Sequence, residues 1–251
     1  MTPQPAAPAA PSNSIRLAVP AHRVWVTWLL IAINVLVLVL MEMNGGSQRT
    51  STLIAFGAKV NSLINQGQVW RLFTSMFLHI GLIHLAVNCF SLYNIGTLLE
   101  RFIGSLRFAV LYVLAGLCGG LASYYFSPQS ISAGASGAIF GLLGALAVFF
   151  YLHRSLFGKT ANSMLTNVAL VALVNLGLGA SIPGIDNWAH VGGLLGGIIV
   201  GALISPRYSI AVNSYGQPAV TESRSTAAWL RVAIFAVAFA FLVAVVVGSG
   251  R

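Results

Sequence analysis

The chain is expected to be an all-α polytopic membrane protein, and three observations predict it. Of 251 residues, 57% are hydrophobic and only 7% charged, whereas soluble domains carry about 25% charged residues. Seven apolar runs approach the roughly 20 residues that a helix needs to cross hydrocarbon. The 13 basic residues lie scattered between those runs. The net charge of +9 therefore reads as topogenic charge in membrane loops, not as a nucleic-acid surface.

The elements follow in order. Residues 1–23, rich in Pro, Ala and Ser, read as a disordered cytoplasmic tail. The first run, 24–43, is long enough to span, and no convincing small-x-small cleavage site follows it. It is expected to remain as an uncleaved span. Residues 44–79 form the longest stretch between spans and contain the amphipathic piece Val69-Trp70-Arg71-Leu72-Phe73. This segment is expected to lie at the interface, with the Trp70 ring and the Arg71 guanidinium reaching polar groups.

Further spans are expected over 80–99, 107–126, 134–152, 165–182 and 187–205. A Ser181-Ile182-Pro183-Gly184 turn makes the fifth and sixth a tight hairpin. Spans four and six are rich in glycine, yet in lipid only helices and closed barrels satisfy the backbone, so both are read as helices. Residues 206–226 read as a cytoplasmic linker and 227–248 as a seventh span. Cys89 and Cys118 both fall in apolar runs and are expected to be free thiols.

With the N-terminus in the cytoplasm, nine basic residues fall inside and four outside, the latter being Arg49, Lys59, Arg71 and Arg251. The positive-inside rule thus favours a cytoplasmic N-terminus and an outside C-terminus. Spans two, four and six then all run inward. Ser136 lies 18 residues before Arg154, His190 lies 17 before Arg207, and His84 lies 17 before Arg101. At 1.5 Å per residue each is roughly 25 Å from the inner end. Three polar side chains on three parallel spans share one level, and ionisable groups within membranes are rare and usually functional.

The residue types suit amide hydrolysis. Ser136 can be a nucleophile if a base takes its proton, and a neutral His190 can be that base. Asp186, one turn before His190, is the nearest acid, and a helix-cap or loop role suits it better than orienting the ring. Because Ser136 opens its helix, peptide N–H groups there are not used by the helix and can face an oxyanion. His84 and Asn88, four apart, share a helix face and can also donate. Gly137 and Gly141, and the ladder Gly193, Gly197 and Gly201, allow spans four and six to approach closely.

Taken together, Trp70-Arg71, His84-x-x-x-Asn88, Gly134-Ala135-Ser136-Gly137 and Ala189-His190-x-x-Gly193-x-x-x-Gly197 closely resemble the rhomboid intramembrane serine proteases. The resemblance covers residues 24–205, which it makes a six-transmembrane catalytic core, a rhomboid-like six-helix bundle plus one C-terminal transmembrane helix. It implies a dyad of Ser136 and His190 without a catalytic acid. It places His84, Asn88 and the Ser136 N–H at the oxyanion, with Gly134 and Gly137 in support. Phe140 stands where many members have a tyrosine packed against the histidine, and it keeps the ring without the hydroxyl. His79 resembles a recurrent polar position and is assigned to support of the interfacial loop and water access.

The resemblance further implies cleavage of single-span or polytopic membrane protein substrates near the outer face of the bilayer, at small and helix-destabilising residues. It implies no metal and no cofactor. A bacterial plasma membrane is the expected location. The leading alternative is a non-catalytic rhomboid-like protein that binds membrane clients, but such proteins lose the serine or the histidine. A transporter would need a more continuous polar path. A metalloprotease would need His-Glu-x-x-His, absent here. An aspartyl protease would need two carboxylates in the membrane, and Glu42, Glu100, Asp186 and Glu222 are none of them mid-span. A Gly-x-Ser-x-Gly esterase fails at Ala138.

Overall fold

The computed structural model describes residues 19, 21–212, 214–223 and 225–249. Most of the tail expected over 1–23 therefore lies outside the described residues. His22 and Arg23 lie against the bundle: the His22 N–H donates to the Arg101 carbonyl at 2.9 Å, and Ser105 Oγ donates to the Arg23 carbonyl at 3.1 Å.

Each expected span is helical. Helix α1 covers Val26–Met43, and its buried stripe includes Val26, Leu30, Leu38 and Met41. Its N-terminal N–H groups are capped from a distance by Glu100. That carboxylate accepts the N–H groups of Trp25, Val26 and Thr27 at 3.0, 2.9 and 2.8 Å, and the Thr27 and Ser105 hydroxyls at 2.7 and 2.6 Å. A negative charge at the positive end of a helix is favourable, and five donors offset its burial.

Three short helices follow, α2 (Thr50–Phe56), α3 (Asn61–Asn65) and α4 (Arg71–Thr74), and then a 3-10 turn at Ser75–Phe77. They form the element expected between the first two spans, and the polar groups that Arg71 reaches lie within it. Arg71 is buried, and its guanidinium donates to the Ile54 and Ala58 carbonyls at 2.8 and 3.0 Å and to Gln68 Oε1 at 2.8 Å. Trp70 is half exposed, with the Arg71 guanidinium 4.7 Å from its ring centre. Three acceptors inside the loop outcompete the headgroup region for the guanidinium's fixed fork of donors.

The second span is α5 (Gly81–Ser91) and α6 (Thr97–Ile103), joined by a π-helical turn over Leu92–Gly96. Then come α7 (Ser105–Phe126), α8 (Ser136–Leu152), the short α9 (Arg154–Phe157), α10 (Lys159–Ser181) and α11 (Asn187–Ile204). Six helices among the described residues are long and apolar enough to cross a membrane, the last being α12 (Thr226–Gly248), which follows the β-hairpin described next; α8 is apolar but shorter, at 17 residues. Enclosure by its neighbours explains how α8 holds its place: α7, α10 and α11 all pack on it. The chain is an integral membrane protein of all-α type.

The segment 206–226, read as a linker, carries an antiparallel hairpin of β1 (Arg207–Val212) and β2 (Pro218–Ser223), with Ile210 opposite Val220. The hairpin is docked on one end of the bundle. The Tyr208 hydroxyl donates to the Phe102 carbonyl at 2.6 Å, and its N–H donates to His153 Nε2 at 3.1 Å. Glu222 pairs with Arg107 at 3.6 Å and with His22 at 3.2 Å.

The tightest seam lies between α8 and α11. A Cβ on Gly193 would run into the Gly137 carbonyl, and one on Gly197 into the Gly141 carbonyl. A Cβ on Gly201 would lie 2.8 Å from the Ala145 Cα. The two four-residue ladders thus mesh in register, as small-residue faces do in membranes.

Candidate active site

The seam sets the positions of Ser136 and His190. Ser136 is the first residue of α8, and His190 lies in the first turn of α11. Because Gly193 lies flat against Gly137, the two helix starts are brought side by side. His190 Nε2 and Ser136 Oγ are 2.9 Å apart, a hydrogen-bonding distance. The Phe140 ring lies parallel to the imidazole, with ring centres 4.3 Å apart and planes 8° from parallel. That contact fixes the ring plane without a hydroxyl.

The other face of the imidazole question concerns Asp186. Its Oδ1 accepts the Ala189 N–H at 3.1 Å, and its Oδ2 accepts the Ser123 hydroxyl. It is the N-cap of α11. His190 Nδ1 is buried and makes no hydrogen bond to a protein atom. The acid therefore holds the helix that carries the histidine but does not hold the histidine ring.

No side chain caps the start of α8. The first-turn N–H groups there lack helical partners, and Ser136, Gly137 and Ala138, which carry them, line the cavity. Across from them stands α5. His84 Nδ1 accepts the Ile80 N–H at 3.3 Å, which leaves the Nε2 edge turned toward Gly134. Gly134 adopts φ +143°, and a Cβ there would lie 2.9 Å from the His84 ring. Glycine is needed for both the backbone angle and the approach. Asn88 is buried one turn further along. Its Nδ2 donates to the His84 carbonyl at 2.9 Å, spending one of its two N–H bonds.

His79 is fully buried, with its ring edge-on to His84 at 5.2 Å between centres. Burial, reinforced by His84, pushes its pKa down to about 3, so it is neutral at ordinary pH. Ser136, His190, His84, Asn88, Gly134, Gly137 and Phe140 all line one cavity of about 730 Å³. The cavity extends to Val171 and Asn175 on α10 and to Lys59 and Asp186. Trp70, Arg71 and His79 do not line it; they support the loop beside it.

A Rhomboid domain model matches residues 66–207, more than half of the chain. The chain belongs to the rhomboid family. Among similar proteins, Rhomboid protease GluP of Bacillus subtilis (strain 168) is 49% identical over 178 residues, which is 71% of this chain and 34% of that protein. RHOMBOID-like protein 7 of Arabidopsis thaliana is 39% identical over 156 residues, 62% of this chain and 49% of that protein. Rhomboid-like protease 5 of Toxoplasma gondii is 35% identical over 141 residues, 56% of this chain and 17% of that protein. The chain thus spans half or less of the length of these relatives.

One residue at this rhomboid site escaped the sequence reading. Lys59 counted only as a loop charge, yet it is fully buried and lines the cavity. Its position in the apolar run Phe56-Gly57-Ala58-Lys59-Val60 was the available signal, since a lysine there must either snorkel or find acceptors.

Proposed function

We propose that this rhomboid protein is an intramembrane serine protease that cuts other membrane proteins in or near their transmembrane segments. The observation that carries the proposal is the 2.9 Å contact between His190 Nε2 and Ser136 Oγ inside a cavity bounded by apolar helices. Similarity to Rhomboid protease GluP of Bacillus subtilis supports it.

The steps follow from the geometry. His190 Nε2 takes the Ser136 proton as Oγ attacks the substrate carbonyl carbon. The carbonyl oxygen becomes an oxyanion, stabilised by N–H groups at the start of α8, by the second Asn88 Nδ2–H and by His84. The imidazolium then protonates the leaving amine, and the C–N bond breaks. An ester to Ser136 remains. His190 next deprotonates a water molecule, whose oxygen attacks the ester carbon; as the C–Oγ bond breaks, the imidazolium returns the proton to Ser136 Oγ and the carboxylic acid is released. The Phe140 ring keeps the imidazole plane fixed throughout, so a dyad suffices.

The basic residues favour a cytoplasmic N-terminus, and the membrane expected is a bacterial plasma membrane. In that orientation the Ser136 end of α8 faces outward, and substrates would be single-span or polytopic proteins cut near the outer face. The test is cleavage of a single-span reporter in detergent with a chelator present. Wild type is expected to cut, and Ser136→Ala and His190→Ala are expected not to cut while keeping the wild-type melting temperature. Equal cleavage by wild type and Ser136→Ala would overturn the nucleophile. No cleavage by folded wild type across several reporters would favour a client-binding protein.

A further inference from the structure

We propose that Lys59 is a positioning residue for acyl transfer: its side chain and backbone lock the 127–134 segment so that the N–H groups at the start of α8 face the oxyanion. The inference rests on the protease reading above.

The segment between α7 and α8 has no secondary structure strong enough to hold itself. Its carbonyls at Ser127 and Ser130 point inward at one place. The Lys59 ammonium meets them, donating to Ser127 O at 2.7 Å, Ser130 O at 3.2 Å and Ser130 Oγ at 3.3 Å. All three of its donors are used. The Lys59 backbone adds a second attachment: its N–H donates to Ser132 O at 3.0 Å, and its carbonyl accepts the Ser132 N–H at 3.2 Å. Gly134 is then tied to Ser75, its N–H donating to that carbonyl at 2.9 Å. The chain is thus pinned at 127, 130, 132 and 134, and Ser136 follows at once.

A buried ammonium is an expensive pin. Burial pushes Lys59 down to about 8, with Asp186 at the start of α11 acting the other way. His84 on α5 and His190 on α11 are the other titratable groups lining the cavity. Methionine could fill the same volume without the desolvation penalty, but it would leave the inward carbonyls without donors. The charge is retained where it fixes backbone beside the nucleophile.

The experiment uses Lys59→Met in the full chain, purified as a monodisperse detergent complex. It measures reporter cleavage and the rate at which an alkyl fluorophosphonate labels Ser136. The expected result is a kcat lowered tenfold or more, a KM within twofold of wild type and a labelling rate lowered by the same factor as kcat. A purely structural role would lower the melting temperature and leave kcat per folded molecule unchanged, which would overturn the inference. If wild type labels and Lys59→Met labels equally fast, the inference fails and the protease reading stands. If wild type neither labels nor cleaves, both fail.

Should Lys59→Met not yield folded protein, the pH profile of wild type decides. Loss of the Lys59 proton removes a donor, so labelling is expected to slow as pH rises through about 8. Stability moves the opposite way. Between about 8 and the ordinary lysine value the unfolded chain binds more protons than the folded one, so this group's contribution to stability rises with pH. A labelling rate that stays flat from pH 7 to 9.5 overturns the inference.

Discussion

Helices α8 and α10 both line the cavity and are built in opposite ways. Of the 17 residues of α8, 12 are buried; of the 23 residues of α10, four are: Ala161, Val168, Ala172 and Gly179. α8 is held by glycine contacts at backbone range, α10 by a few small residues at its margins. The reacting pair sits at the seam of α8 with α11, whose glycine contacts fix the distance between Ser136 and His190. The precision of the site rests on α8 and α11, while α10 lines the cavity with few buried residues.

The comparison breaks most directly at Gly197. A side chain there meets the Gly141 carbonyl, and both helices are too enclosed to yield. Overpacking commonly costs about 1–3 kcal/mol, and more where backbone itself is displaced. Gly197→Val is expected to lower the melting temperature in detergent and to abolish reporter cleavage, although the substitution is two turns from His190. Retained activity at wild-type stability would mean that the seam is not what sets the dyad.

Asn88 separates chemistry from packing on the enclosed side. Its Oδ1 is buried without a hydrogen-bond partner, so the side chain is not there for stability alone. A principal oxyanion donor is worth about 10²–10³ in rate. Asn88 shares the role with backbone N–H groups and His84, so Asn88→Ala is expected to slow kcat by about tenfold with no fall in melting temperature. A loss of stability without a loss of rate would assign Asn88 to helix packing instead.

Asp186 is expected to show the reverse pattern. Asp186→Ala removes the cap of α11, which costs about 1 kcal/mol, and cleavage should largely survive. Activity as low as that of His190→Ala would demand a triad.

Much of this was legible in the sequence, because lipid removes alternatives. Once lipid excludes open sheets, the apolar runs had to be helices, and their order put Ser136, His190 and His84 at one level. The spacing of the glycines implied a close approach of spans four and six, but the register of Gly193 on Gly137 is read from the folded chain. The hairpin at 207–223 was not legible: its strands are six residues each, and their pairing depends on a bundle end that supplies Phe102, His153 and Arg107. Arg71 was read as an interfacial residue reaching polar groups, but which groups was not legible: its acceptors, the Ile54 and Ala58 carbonyls, come together only after the loop has folded. Lys59 was missed for the same reason. Charged side chains in short loops are positioned by carbonyls that no periodicity reveals.

The smallest effect is expected on α10. Leu173 is 68% exposed on the face away from the buried stripe. Leu173→Ala removes no contact that the bundle depends on, and surface changes of this kind stay within about 0.5 kcal/mol. Melting temperature should be unchanged, and kcat on the reporter should match wild type. Set beside Gly197→Val, the pair measures how unequally the α8–α11 seam and α10 carry the fold. If Leu173→Ala were as damaging as Gly197→Val, α10 would be part of the same rigid frame as α8 and α11.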